Sequence, residues 1–309
     1  MSLGYNRPLY LLPFDHRHSY LAGLFRFSPP LTSDQYEEVV GSKRVIYDGF
    51  RRALDHDVPV ASAGILVDEE FGGDILRNAA RNGFVTALST EKSGSEEFEF
   101  EYGTEFEEHI EEFQPTFAKA LVRYNPEGDA ALNQRQAIRL RQLSDYCRTS
   151  GRKFMFELLV PATAAQNDRV RVEAISYDQL VRPALVIQTI LTLQDSGVEP
   201  DIWKVEGLDS RDDCERVVAT ARRDGRDEVG CIVLGRGADE KKVVSWLQIA
   251  ASVSGFIGFA VGRTTFWDAI AGFVAKNITR EEATSRIAQR YGKWAAIFER
   301  AHRPEAVPG

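Results

Sequence analysis

Eight short apolar, β-branched runs recur along this chain, each followed by a longer amphipathic stretch, and no other feature restricts the fold as strongly. The runs occupy residues 9–14 (LYLLPF), 60–67, 84–88, 118–123, 153–160, 202–205, 230–234 and 255–261. They show little strict alternation, the pattern of strands covered on both faces. The segments between them have helical spacing: over 130–148, Ala131, Ala137, Leu140 and Leu143 fall near one face with charges opposite, and 179–193, 211–223 and 241–253 behave alike. Asp209 and Ser210 precede an acidic first turn, as at a helix start, and Gly197 and Gly225 stand where helix ends favour glycine. A doubly wound open sheet alternates in this way too but rarely needs eight units. The expected fold class is therefore α/β, a (β/α)8 TIM barrel with an additional C-terminal helix.

Length alone, 309 residues, allows two average domains or one large barrel. No Pro/Ser-rich linker divides the chain, so 1–303 reads as a single barrel domain and 304–309 as a disordered tail. The helical stretch 277–300 carries Trp294 and Phe298 on one side and is expected either to close the barrel or to support a homo-oligomer. Lys and Arg total 38 against 46 Asp and Glu, a net charge of -8, which argues against nucleic-acid or anionic-membrane partners. No apolar run matches a bilayer span and residues 1–8 lack a secretory pattern, so a cytoplasmic location is expected. Cys147, Cys214 and Cys231 are widely spaced with no CxxC pair, and read as buried bystander thiols. Residues 96–112 hold nine Glu and four Phe or Tyr. A solvated loop followed by a helix face is the first reading of that segment.

Chemistry in such barrels sits at the C-terminal ends of the strands. Lys119 in FAKALVRY, Glu157 in FMFELLVP and Lys204 in DIWKVEG each lie inside an apolar run, where an ionisable side chain must be paired or used. A strand alternation that turns them outward, or a purely structural ion pair, would account for any one of them; three in adjacent strands are harder to explain that way. A lysine in a dry pocket beside a second cation has its charged form disfavoured, so its amine can attack a ketone and form an iminium. A neighbouring carboxylate can move the protons, and Asp15, in Phe14-Asp15-His16-Arg17, can hold or deprotonate a substrate hydroxyl. Gly235-Arg236-Gly237 and Gly262-Arg263 expose backbone N–H groups and add guanidinium charge at the usual phosphate-binding strands seven and eight; Arg17 belongs to the same set. His16 and His18 form an HxH that can ligate a metal, but beyond a strand end the two need not point the same way, and no metal or organic cofactor is expected. Asp68-Glu69-Glu70 can bind Mg²⁺ with phosphate or cap the following helix.

FDHR at strand one, GILVDEEFG after strand two, STEKSG at strand three and WKVEG at strand six resemble the class I, Schiff-base aldolases related to tagatose-1,6-bisphosphate aldolase. The nearer resemblance is to the aldolase domain acting on 2-deoxy-5-keto-gluconate 6-phosphate in inositol catabolism, and it covers roughly 9–294. It implies a metal-free barrel that cleaves a phosphorylated keto sugar to dihydroxyacetone phosphate and an aldehyde, here malonate semialdehyde. By motif, Lys204 resembles the Schiff-base lysine, Lys119 the second lysine that depresses its pKa, Glu157 the acid/base carboxylate, Asp15 the residue on substrate hydroxyls, and Arg263 the phosphate-binding arginine. The acidic segment and the PATAAQNDRV loop depart from the family pattern and bear on substrate identity. Tagatose 1,6-bisphosphate, a sulfosugar phosphate, or a non-catalytic sugar-phosphate sensor are the alternatives.

Overall fold

All eight apolar runs form strands, and these pair in chain order into a closed, all-parallel barrel, a (β/α)8 TIM barrel with one further helix at its C-terminal end. The computed structural model describes residues 2–55, 57–173 and 176–302; the expected tail at 304–309, and His56, lie outside them. The strands are β1 (Leu9–Pro13), β2 (Ala63–Val67), β3 (Val85–Ser89), β4 (Phe117–Arg123), β5 (Lys153–Leu159), β6 (Ile202–Glu206), β7 (Gly230–Leu234) and β8 (Phe256–Ala260), with β8 pairing back onto β1. Apart from Leu121 and end residues of β3, β4 and β5, both faces are buried, which is why the runs show no polar alternation. The second run begins later than expected. Residues Val60–Ser62 form a single 3-10 turn with Val60 half exposed, and the strand proper starts at Ala63.

Parity along each strand divides the interior from the helical layer. Leu9, Leu11, Leu66, Ala87, Phe117, Met155, Ile202, Ile232 and Ala260 form the barrel's own core, and Tyr5 plugs its N-terminal end with its ring 5.1 Å from that of Phe117. Gly258 is required there, since a Cβ would sit 1.7 Å from the Leu9 carbonyl oxygen. The alternate residues, among them Tyr10, Leu12, Ile65, Leu88, Phe156, Trp203 and Phe259, pack against the helices.

Side-chain caps start most of the outer helices. Thr32 and Gln35 form a capping box for Ser33–Leu54, and Asp68, Asp129, Ser210 and Asp239 each accept backbone N–H bonds at the starts of Glu69–Arg81, Ala130–Ser150, Arg211–Ala221 and Glu240–Ala251. Of the two readings for Asp68, the structure displays the cap: its Oδ1 accepts from Phe71 N at 3.0 Å. The last helix, Arg280–His302, packs against Ser33–Leu54, Glu240–Ala251 and Arg263–Val274. Trp294 is wholly buried and donates to Thr265 Oγ1 at 3.0 Å, and Tyr291 donates to the Tyr10 carbonyl at 2.6 Å. Its apolar side is thus packed within the chain. The three cysteines are free and buried. No described helix is long and apolar enough to cross a membrane.

Candidate active site

Because Phe117, Met155 and Ile202 face inward, so do Lys119, Glu157 and Lys204, each displaced by an even number of residues. Register then brings the last two together: Glu157 is the pairing partner of Lys204 across β5 and β6. The lower interior is apolar, and the layer above it, toward the strands' C-terminal ends, is charged.

In that layer the side chains form a continuous ionic chain. Lys204 Nζ lies 2.8 Å from Glu157 Oε1, and Glu157 Oε2 lies 3.1 Å from Lys119 Nζ. The Lys119 ammonium also meets Asp15 Oδ2 and Glu91 Oε1, each at 2.7 Å. Glu91 accepts from Leu121 N at 3.2 Å, and Arg17 continues the chain to the Glu91 carbonyl and to Glu101 Oε2 at 2.6 Å. Lys119 has no exposed surface and does not line the cavity above; Asp15, Glu91, Glu157 and Lys204 do. That cavity, about 450 Å³, is open at the strands' C-terminal ends.

These contacts set the protonation states. Burial disfavours the Lys119 ammonium, yet Asp15, Glu157 and Glu91 together outweigh burial and raise its pKa above the ordinary lysine value. Burial pushes Glu157 and Asp15 toward the neutral acid, and Lys119, with Lys204, reverses this, so both are held below the usual carboxylate range. Glu91 goes the other way: burial raises its pKa and Lys119 only partly opposes the rise. His16, at the cavity wall with its ring 5.7 Å from that of Phe266, is lowered to about 4 by burial, with the Arg263 charge adding to the effect and Asp15 opposing it.

The rim after β7 and β8 contains the two glycine turns. Arg236 and Gly237 both have positive φ, 51° and 71°, and the Arg263 guanidinium lies across Gly237, where a Cβ would come within 2.7 Å of Nη2. Helix Arg263–Val274 starts at Gly262 without a side-chain cap, unlike the five helices above, and Gly262 lines the cavity. The candidate phosphate residues differ in availability. Arg236 is paired with Glu206 Oε1 at 2.9 Å and Asp178 Oδ1 at 2.7 Å, and Arg17 is enclosed by Glu91 and Glu101. Arg263 donates to the Arg236 carbonyl at 3.1 Å and has no carboxylate within ion-pair distance among the described residues.

A family model described as "Uncharacterized protein conserved in bacteria (DUF2090)" matches residues 5–302. The chain belongs to this family. No curated protein matches the sequence significantly. Among solved structures, this DUF2090 member is similar to a Plasmodium falciparum fructose-bisphosphate aldolase in complex with TRAP and a small-molecule inhibitor, with 13% identity, TM-score 0.64, and 98% and 93% of the two chains covered. A Corynebacterium glutamicum protein follows at 17% identity and TM-score 0.52, covering 95% and 88%. A Schiff-base-forming fructose-1,6-bisphosphate aldolase shares 12% identity at TM-score 0.54, covering 88% and 94%. At such identities these likenesses establish the barrel fold.

Three residues of this layer were given no role by the sequence reading although strand parity points to them. Glu91 continues the inward set Ala87, Ser89 past the end of β3; Glu206 is two residues beyond Lys204; Arg123 is four beyond Lys119. The acidic segment is more than a solvated loop and helix. Residues 90–101 fold back as a small hairpin, with an antiparallel bridge between Glu91 and Phe100, and Glu97 is pinned by Arg135 and Arg139, which hold its carboxyl down at about 2. The hairpin forms one wall of the cavity, and helix Phe106–Phe113 follows it. His16 and His18 both border the cavity, the former half-buried and the latter exposed. Glu69, His109 and Glu112 bring three ligand atoms within 4.8 Å of one another outside the cavity, with Glu112 paired to Arg77.

Proposed function

We propose that the protein is a class I aldolase acting on a phosphorylated keto sugar through a Schiff base on Lys204, with 2-deoxy-5-keto-gluconate 6-phosphate as the best substrate candidate. The observation that carries this reading is the Lys204–Glu157–Lys119 chain, in which one amine borders the cavity and a carboxylate 2.8 Å away can take its proton. Having passed that proton to Glu157, the amine adds to the ketone carbon, and the carbinolamine oxygen leaves as water with the proton returned. The resulting iminium draws electrons from the neighbouring carbon–carbon bond as Asp15 removes the proton of the adjacent hydroxyl. Cleavage releases the aldehyde (malonate semialdehyde from the candidate substrate) and leaves an enamine. Protonation at carbon and addition of water then free dihydroxyacetone phosphate and Lys204. Lys119, kept charged by three carboxylates, holds Glu157 anionic between turns and able to accept the proton. Arg263, the Gly237 turn and the uncapped helix start supply donors for the phosphate.

Borohydride added with dihydroxyacetone phosphate is expected to trap an adduct on Lys204, read by peptide mass spectrometry; an unmodified Lys204 would overturn the proposal. Rates on 2-deoxy-5-keto-gluconate 6-phosphate, tagatose 1,6-bisphosphate and a sulfosugar phosphate decide the substrate, with the first expected to be fastest.

A further inference from the structure

Two guanidinium groups line the cavity with no carboxylate within ion-pair distance among the described residues, Arg263 after β8 and Arg123 at the end of β4. Every other arginine on the wall is neutralised: Arg17 by Glu101 and Glu91, Arg236 by Glu206 and Asp178. In an eight-stranded closed barrel, β4 and β8 lie on opposite sides of the mouth, and β6, which carries Lys204, stands midway between them. Arg123 is half-buried and held by one bond, Nη1 to the Ser95 carbonyl at 3.2 Å, in the hairpin that walls this side. A half-buried guanidinium beside a cavity and without a counter-ion calls for an anion from outside the protein.

We propose that Arg123 binds a second anionic group of the substrate, a terminal carboxylate, so that the ligand spans the mouth with its phosphate at Arg263, its carbonyl over Lys204 and its carboxylate at Arg123. The inference rests on the aldolase reading for the middle of that frame and goes beyond it by specifying both ends. The two ends differ in the anion they suit. Arg263 has the Gly237 turn and the uncapped N–H groups of a 12-residue helix beside it, a multi-donor cradle fit for the three oxygens of a phosphate. Arg123 offers a single planar fork, which matches a carboxylate, and Glu91, Glu96 and Glu97 line the cavity with it. A dianionic phosphate on that side would face repulsion that a monoanion feels less.

Non-reacting probes test the frame separately from the chemistry. In calorimetric titrations the wild-type protein is expected to bind 6-phosphonooxyhexanoate at least about tenfold more tightly than hexyl phosphate, the worth of one charge-assisted pair. R123M should abolish that preference and R123K retain part of it, whereas R263M should weaken both ligands. Equal affinity of the wild type for the two probes, or an undiminished preference in R123M, would overturn the proposal. Tighter, Arg123-dependent binding of hexane-1,6-diyl bisphosphate would overturn the carboxylate assignment in favour of a second phosphate. The probes carry no ketone, so a frame that passes while borohydride traps nothing on Lys204 refutes the aldolase reading alone.

Discussion

The outer layer and the mouth of the barrel each bury a lysine completely, with opposite chemical consequences. Lys43, on helix Ser33–Leu54, meets one carboxylate, Asp68, and the His16 carbonyl at 3.2 Å, and it sits between the rings of Tyr20 and Phe71 at 5.5 and 5.4 Å. Burial is the dominant influence and its pKa falls, although Asp68 opposes the fall. Lys119 meets three carboxylates and its pKa rises. The first is a matched pair sealed in close packing. The second belongs to a cluster in which acids outnumber the amine they surround and three of them also border a cavity. Burial of charge alone therefore does not tell the two lysines apart; the number of acids around each and the open volume beside them do.

The comparison can be broken most directly by removing a lysine from each region. Lys204→Met is expected to lower aldol cleavage by at least about 10⁴-fold, as loss of a covalent nucleophile does, while urea unfolding stays near wild type. Lys43→Met should do the reverse: borohydride trapping persists, and stability falls by roughly 3–5 kcal/mol in urea because Asp68 is left as an unpaired buried charge. If trapping disappears in both variants, the two regions are not functionally distinct.

Lys119→Met sharpens the contrast through pH. Lys119 lowers the carboxyls of Asp15 and Glu157, so its removal raises them, fewer are ionised in mild acid, and the acid limb of the pH–rate profile moves to higher pH. An unmoved acid limb would refute this role for Lys119. The smallest effect concerns His16. Its folded pKa of about 4 lies below the ordinary 6.5, so between those values the unfolded chain holds the proton and the folded chain does not. The His16 contribution to stability is therefore complete above pH 6.5 and is lost as pH falls toward 4. Urea midpoints at pH 5 and pH 7.5 should differ less in His16→Gln than in wild type.

Much of the site was legible in the chain because an ionisable residue inside an apolar run has few places to go. That argument singled out Lys119, Glu157 and Lys204, and the structure brings them into one ionic chain. It did not reach Glu91, which follows its strand rather than interrupting it, or Glu101, which joins Arg17 only when the hairpin at 90–101 folds back. Arg17 and Arg236 looked as free as Arg263, since a sequence does not reveal which carboxylates will stand opposite a guanidinium.

Sequence alone determined the alternation of strand and helix, the closure into eight units and the inward parity of the charged residues, because these follow from local periodicity and from apolar area that must be covered on both faces. The tertiary structure decided which charges neutralise one another and which are left facing the cavity. Ion pairing depends on distances of a few ångströms between residues tens or hundreds of positions apart, and those distances exist only once the barrel has closed.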